Sequence, residues 1–345
     1  MTCKLTDCSS TPTPPQRRHA EARTRHCRIF RKVIAYTSMW WIGAIVVIIL
    51  IKSVVSHEGL YPYPFAFTSF IQPATGLCAG LMSRAVYRKR PRPPKFQWRE
   101  VGVLILMGGM QGFEIGLTNK ALEYMTVATR TMISSTNVLL MMCTARFWGL
   151  EQLGLLRIAS GMLLVSGGCL QGLGQRLGSS DSDIIGVVMQ VTSMTLSAQR
   201  WALAQFVLQL WPSDSALGQT SKLQLLARTL PLTGFVCVPL SLSFETDAYT
   251  PEQVFKQELF LRVLIVSAAL TAMSYAELKL VKLLSAVAFN VLATVHQIPI
   301  VLAGVLIQGN QVDATSTCGF AFCITGALVY ALARHRDRLA IDDGQ

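Results

Sequence analysis

Residues 184–209 read IIGVVMQVTSMTLSAQRWALAQFVLQ, an apolar run that carries one arginine, Arg200, well inside it. As a helix, these residues reach roughly 39 Å, more than the ~30 Å of bilayer hydrocarbon. An arginine at that depth costs about 2.5–3.5 kcal/mol against lipid, so it belongs on a hydrated, protein-lined face. Gln190, Ser193, Ser197 and Arg200 follow one another at steps of three and four, which puts them on one side of the helix as a polar wall. The structural alternative is that Arg200 snorkels to the cytosolic edge or pairs with a carboxylate for packing.

Similar runs recur along the chain. Of its 345 residues 51% are hydrophobic and only 14% charged, which marks a polytopic membrane protein rather than a set of soluble domains. Ten spans are predicted: 33–55, 65–87, 100–118, 126–148, 153–172, 184–208, 223–244, 260–278, 283–307 and 314–334. The net charge of +12 does not point to nucleic acid, because the basic residues outside the spans sort by side. The N-terminal arm, the loop Arg84 to Arg99, Arg157, Lys222, Lys279, Lys282, Arg334, Arg336 and Arg338 share one side. Lys52, Lys120, Arg176 and Lys256 take the other. That asymmetry predicts an even number of spans with both termini cytosolic.

The expected organisation is a disordered basic cytosolic arm (1–32), a first five-helix half (33–172), a linker loop (173–183), a second five-helix half (184–334) and a cytosolic tail (335–345). Five spans per half force related halves into opposite orientation and place a binding site between them near the midplane. Thr126 to Leu140 aligns with Ser285 to Pro299 as the candidate repeat. No apolar region precedes the first span, which argues against a cleaved secretory signal, and the arginine-rich arm keeps plastid or mitochondrial import as a lesser reading. Glycines 108, 112 and 116 form a ladder that predicts close helix packing. Gly319, Cys323, Ala327 and Ala331 give the last span a small-residue face that permits a homodimer.

Polar residues inside other spans can join Arg200. Glu114 shares a face with Gln111 and Thr118; Arg130, Ser134 and Asn137 share another; Asn290, His296 and Gln297 sit near the middle of the ninth span. Together they predict a hydrated cavity for an anionic ligand. Arginine presents a planar fork to phosphate, while amides and hydroxyls read sugar or base edges. Glu114 either lines this cavity or neutralises one of its arginines. A histidine at position 296 predicts pH-dependent binding, since its ordinary pKa is about 6.5. The nine cysteines show no metal-ligand or C-x-x-C spacing, so neither a disulfide framework nor a metal site is expected, and no cofactor is required. Intramembrane aspartate pairs, H-E-x-x-H, G-x-S-x-G and the phosphate-loop motif are absent, which argues against an enzyme.

Three stretches carry a family resemblance. Asn119, Ala121, Leu122, Tyr124, Thr126 and Val127, followed by Leu150 and Glu151, resemble the third-to-fourth-span segment of the triose-phosphate translocator and nucleotide-sugar transporter family. Arg200-Trp201-Ala202-Leu203-Ala204-Gln205 with Leu208-Gln209 resembles its R-W-x-L-T-Q-x-L-L-Q signature, closest to the GDP-fucose transporter-like branch of solute carrier family 35. Gly319, Phe320, Ala321 and Gly326 resemble the pattern of its last span.

The resemblance implies an all-α membrane protein of the drug/metabolite transporter fold, with ten transmembrane helices in two inverted five-helix halves, in Golgi or endoplasmic reticulum membranes. It implies an antiporter that exchanges a nucleotide sugar or phosphorylated sugar for a nucleoside monophosphate or phosphate. Arg200 would be the main anion anchor and Arg130 a second, with Ser134, Asn137, Gln190, Asn290, His296, Gln297 and Glu114 around them. Ser134 and His296 stand where many members have lysine. That departure leaves a transport-silent scaffold of a glycosylation enzyme or transporter as the alternative. An amine exporter of the same superfamily is a second rival, disfavoured by two arginines against one carboxylate.

Overall fold

The computed structural model describes residues 14–55, 60–88, 95–124, 133–134, 136–174, 184–254, 256–296 and 314–342. Among these residues the regular structure is helical, without strands. The long helices are α1 (Pro14–Val55), α2 (Pro64–Val86), α3 (Trp98–Tyr124), α4 (Asn137–Phe147), α5 (Leu155–Gly174) and α6 (Ile184–Gln209). They continue with α7 (Lys222–Phe244), α8 (Gln257–Leu283), α9 (Ala286–His296) and α10 (Ala314–Asp342). Every predicted span thus contains helix in its described part.

Among the described residues six helices, running within α1, α2, α3, α7, α8 and α10, are long and apolar enough to cross a membrane. Outward-facing side chains such as Phe235 and Phe260, 74% and 73% exposed, supply the apolar surface that lipid covers. Helix α6 has the length, at 26 residues, but is not one of the six. Its polar wall dilutes the hydropathy that its apolar face supplies. Helix α1 starts at Pro14, inside the arm expected to be disordered. Proline is preorganised for a first turn, and the Ala-, Glu- and Arg-containing run behind it favours helix.

The main helix pairings repeat between halves. Helix α2 packs on α7 and α5 on α10; α3 packs on α6 as α8 does on α1; α3 packs on α7 as α8 does on α2. Exchanging each helix for the one five places along returns the same set. A sequence echo accompanies it: Pro73-Ala74-Thr75-Gly76 in α2 and Pro231-Leu232-Thr233-Gly234 in α7. Each glycine receives the other helix's proline. A Cβ on Gly76 would stand 2.7 Å from Pro231 Cδ, and one on Gly234 2.5 Å from Pro73 Cδ. The repeat expected at 126–140 and 285–299 falls partly outside the described residues.

The glycine ladder of α3 faces α7, where Cβ atoms at Gly108, Gly112 and Gly116 would each meet a side-chain carbon at 2.6 Å, on Leu232, Val236 and Leu240. On α10, Gly319 and Cys323 lie against Gly167 of α5, so that part of the face read as permitting a dimer is covered within the chain.

Both ends of the bundle are tied by caps. At one end, the Glu245 carboxylate accepts the Phe65 and Ala66 amides at 3.0 and 2.8 Å, closing the start of α2. Beside it, the buried Tyr61 hydroxyl donates to the Ala248 carbonyl at 2.9 Å. Burial pushes the Tyr61 phenol upward, so it remains a donor at any physiological pH. At the other end, α7 opens with a capping box in which Ser221 and Gln224 satisfy each other's backbone amides.

Candidate functional site

The polar wall of α6 faces inward. Gln190, Ser193 and Ser197 are buried, and Arg200 lies ten residues beyond Gln190, about 15 Å along the axis. Arg200 is claimed by α3. Its Nε donates to Glu114 Oε2 at 2.9 Å and its Nη2 reaches Oε1 at 3.5 Å. The two side chains are 13% and 21% exposed, so the pair is only partly screened by solvent. The guanidinium also lies over the Trp201 ring, 4.5 Å from its centroid. Two turns earlier on α6, Ser193 donates to the Glu114 carbonyl at 2.9 Å and lies 2.5 Å from the Thr118 hydroxyl, which fixes the register of α3 against α6.

Farther along α6, Gln190 Nε2 donates to Ser134 Oγ at 3.4 Å, and Asn137 Nδ2 of α4 donates to Asn290 Oδ1 of α9 at 3.1 Å. The remaining amide oxygens, Gln190 Oε1 and Asn137 Oδ1, are buried without a partner among the described residues. His296 is buried against two indoles, its ring centroid 5.0 Å from Trp40 and 5.3 Å from Trp41, with Nε2 unpartnered among the described residues. Arg130 and Gln297 lie outside the described residues.

The structure adds a second carboxylate. Glu277 of α8 accepts the Trp40 indole N–H at 3.0 Å and lines one narrow recess with Gln111, Arg200, Trp201 and Ser274. Reading the eighth span as ending at 278 puts Glu277 at its edge; α8 runs on to Leu283 and draws it inside. The signal in the sequence was the row Ser267, Thr271, Ser274 at helical spacing, leading to Glu277. The recess holds about 30 Å³, water-sized and far below what a sugar phosphate needs. A larger cavity of about 390 Å³ lies between α1, α9 and α10, but Val33, Val291, Val295 and Ala327 make it apolar, with only Tyr330 and Arg334 polar at one end.

Part of the R-W-x-L-x-Q run has a structural duty. Gln205 Oε1 accepts the Ala286 amide at 2.7 Å, and Gln209 Nε2 donates to the Val281 carbonyl at 2.9 Å, which pins the turn between α8 and α9 to the end of α6. Among the described residues no cluster of His, Cys, Asp and Glu could hold a metal ion.

A family model described as the Triose-phosphate Transporter family matches residues 31–331. One solved structure, a crystal structure of a protein, aligns with a TM-score of 0.62 at 13% identity, covering 87% of this chain and 99% of that one. At that identity the likeness is one of fold.

Proposed function

The chain belongs to the Triose-phosphate Transporter family, and on that premise we propose that this membrane transporter is an antiporter of nucleotide sugars or phosphorylated sugars. It exchanges them for a nucleoside monophosphate or phosphate by alternating access. The observation that carries the reading is the Arg200–Glu114 pair. Carboxylate and phosphate oxygens compete for the same guanidinium fork, so Glu114 holds the place that an anionic substrate group takes. Leaving a buried arginine unpaired costs several kcal/mol, so release is completed by the return of Glu114 or by the arrival of the exchanged anion.

Asn137, Gln190 and Asn290 read the sugar or base in this proposal, and the acceptors of Asn137 and Gln190, unpartnered among the described residues, support it. His296 and Ser134 border them, and Arg130 and Gln297 complete the proposed set. The water-sized recess requires helices to part before a substrate enters, and the pairing of helices that survives exchange of the halves supports rocking of one half on the other. The R-W-x-L-x-Q run favours the GDP-fucose transporter-like branch, with ten spans, cytosolic termini, and Golgi or endoplasmic reticulum membranes as the setting.

Thermal unfolding of the detergent-purified protein against nucleotide sugars, nucleoside monophosphates and triose phosphates tests the reading. A ligand of the folded state adds about 2.7 kcal/mol at a hundredfold excess over Kd. A shift for one nucleotide that vanishes in Arg200→Ala supports Arg200 as anchor; no shift for any phosphate compound in a folded sample sinks it. The Arg200–Glu114 pair, in which the anchor's charge is already satisfied within the protein, favours a second reading, a transport-silent scaffold. Reconstituted protein without exchange that co-purifies with a glycosylation enzyme would establish that reading.

A further inference from the structure

Glu277 has no part in gripping an anion, yet it shares a recess with Arg200. It enters from α8, and its Oε1 accepts the indole N–H of Trp40 from α1 at 3.0 Å. Arg200 of α6 and Glu114 of α3 are within electrostatic reach of it. Gln111 of α3 and Ser274 of α8 complete the polar lining, while α7 brings Leu225, Leu226, Thr229 and Leu230 and no charge. From α9, Phe289 and His296 pack on Trp40 rather than on the carboxylate. Lys279, the next charged residue of α8, lies over the Tyr36 and Tyr275 rings, and Arg84 of α2 is exposed at its helix end. Two carboxylates therefore face one guanidinium, and the guanidinium is bonded to the other one.

An ionised carboxylate whose hydrogen-bond donor is a neutral indole has its desolvation cost only partly offset, and a proton removes that cost. How much Arg200 relieves it depends on what Arg200 holds. Bonded to Glu114, it still lends Glu277 part of its field; given to a phosphate, it lends neither carboxylate anything. We propose that Glu277 is the site of a coupling proton, loaded when the substrate's phosphate takes Arg200 and released when Glu114 regains it. The proton comes from water on the side to which the recess is open and returns to water on the other, so an anionic substrate crosses with a proton, and a pH gradient drives net movement in those cycles in which Glu114, rather than a counter-anion, retakes Arg200. The coupling rests on Arg200 as the substrate's anchor; the site itself can be tested without substrate.

Full-length protein in lipid nanodiscs, titrated from mildly acid to mildly alkaline pH, is followed by tryptophan fluorescence, with Trp40 as the reporter. A titrating component is expected, lost in Glu277→Gln and in Trp40→Phe. In Glu114→Gln, where Arg200 can turn to Glu277, its midpoint moves to lower pH by about one unit or more. Infrared difference spectra between the two pH extremes separate loss of the site from loss of the reporter or of the fold: Trp40→Phe keeps the protonated-carboxyl stretch that Glu277→Gln lacks. A component that survives Glu277→Gln, or a midpoint unmoved in Glu114→Gln, overturns the proposal. Inorganic phosphate, added as the probe, is expected to move the wild-type midpoint to higher pH. No effect of phosphate on an intact titration keeps the proton site, overturns its coupling to the substrate, and counts against the anion-exchange reading rather than against Glu277.

Discussion

Helix pairs α3–α6 and α8–α1 are counterparts under exchange of the halves, and in each a carboxylate accepts a partly buried side-chain hydrogen bond from the other helix. In the first, Arg200 of α6 donates to Glu114 of α3; in the second, Trp40 of α1 donates to Glu277 of α8. The layout is shared: a carboxylate on the third helix of one half and an N–H donor on the first helix of the other. The charge is not, since one carboxylate meets a cation and the other a neutral indole. Where the halves only pack, at Pro73–Gly234 and Pro231–Gly76, the contacts are reciprocal. Symmetry is kept where the helices only pack and broken where the carboxylates find their partners.

The largest effect expected from this contrast is at Arg200. Arg200→Met strands Glu114 as an uncompensated, partly buried charge, at a cost of about 3–5 kcal/mol, and abolishes anion exchange. Trp40→Phe removes one neutral hydrogen bond and keeps an aromatic ring beside Phe289 and His296, at a cost of about 1 kcal/mol. Chemical unfolding of both variants in the same detergent measures the difference. Equal costs would mean that Glu277 is as strongly charge-compensated as Glu114, and the contrast would collapse.

A smaller effect sharpens the symmetric side. Gly76→Ala and Gly234→Ala each push a methyl group into a proline ring, to 2.7 and 2.5 Å of its Cδ. Overpacking of that kind costs about 2 kcal/mol, and reciprocal contacts predict costs that agree within about 0.5 kcal/mol. Unfolding midpoints that differ by several-fold more than this would show that the two contacts are alike in geometry alone.

The scaffold was the legible part of the chain. Apolar runs located the helices, because burial and lipid impose the same pattern on every span, and the glycine ladder of α3 announced a close packing, which its 2.6 Å approaches to α7 display. Arg200 and Glu114 were legible as well, since charge inside an apolar run is costly whatever its partner. Their bond to each other was legible only as an alternative, Glu114 neutralising one of two arginines, because spacing along a helix fixes a face and not the neighbour across it. Glu277 was missed for a different reason. Hydropathy places a span's end several residues from where the helix stops, and Glu277 lies within that margin. The same blindness hid the duty of Gln205 and Gln209: a motif shows which residues recur, and only the α8–α9 turn shows that these two hold backbone groups.

The smallest expected effect lies at a third bond, where Asn137 of α4 donates to Asn290 of α9 at 3.1 Å. These helices are counterparts as well, and here the same side chain stands on both, so the bond is neutral and its direction is reversible by an amide flip. Neither asparagine is compensated by charge. Asn137→Ala and Asn290→Ala should each cost about 1 kcal/mol, with a coupling energy of about 0.5–1 kcal/mol in the double-mutant cycle. Both single variants should weaken binding of any nucleotide that shifts the wild-type unfolding temperature, because Asn137 Oδ1 already lacks a partner among the described residues and is open to a ligand donor. A cycle with full coupling but unchanged ligand shifts would make the pair a lock between the halves; weak coupling with lost shifts would make the two amides independent contacts to the ligand.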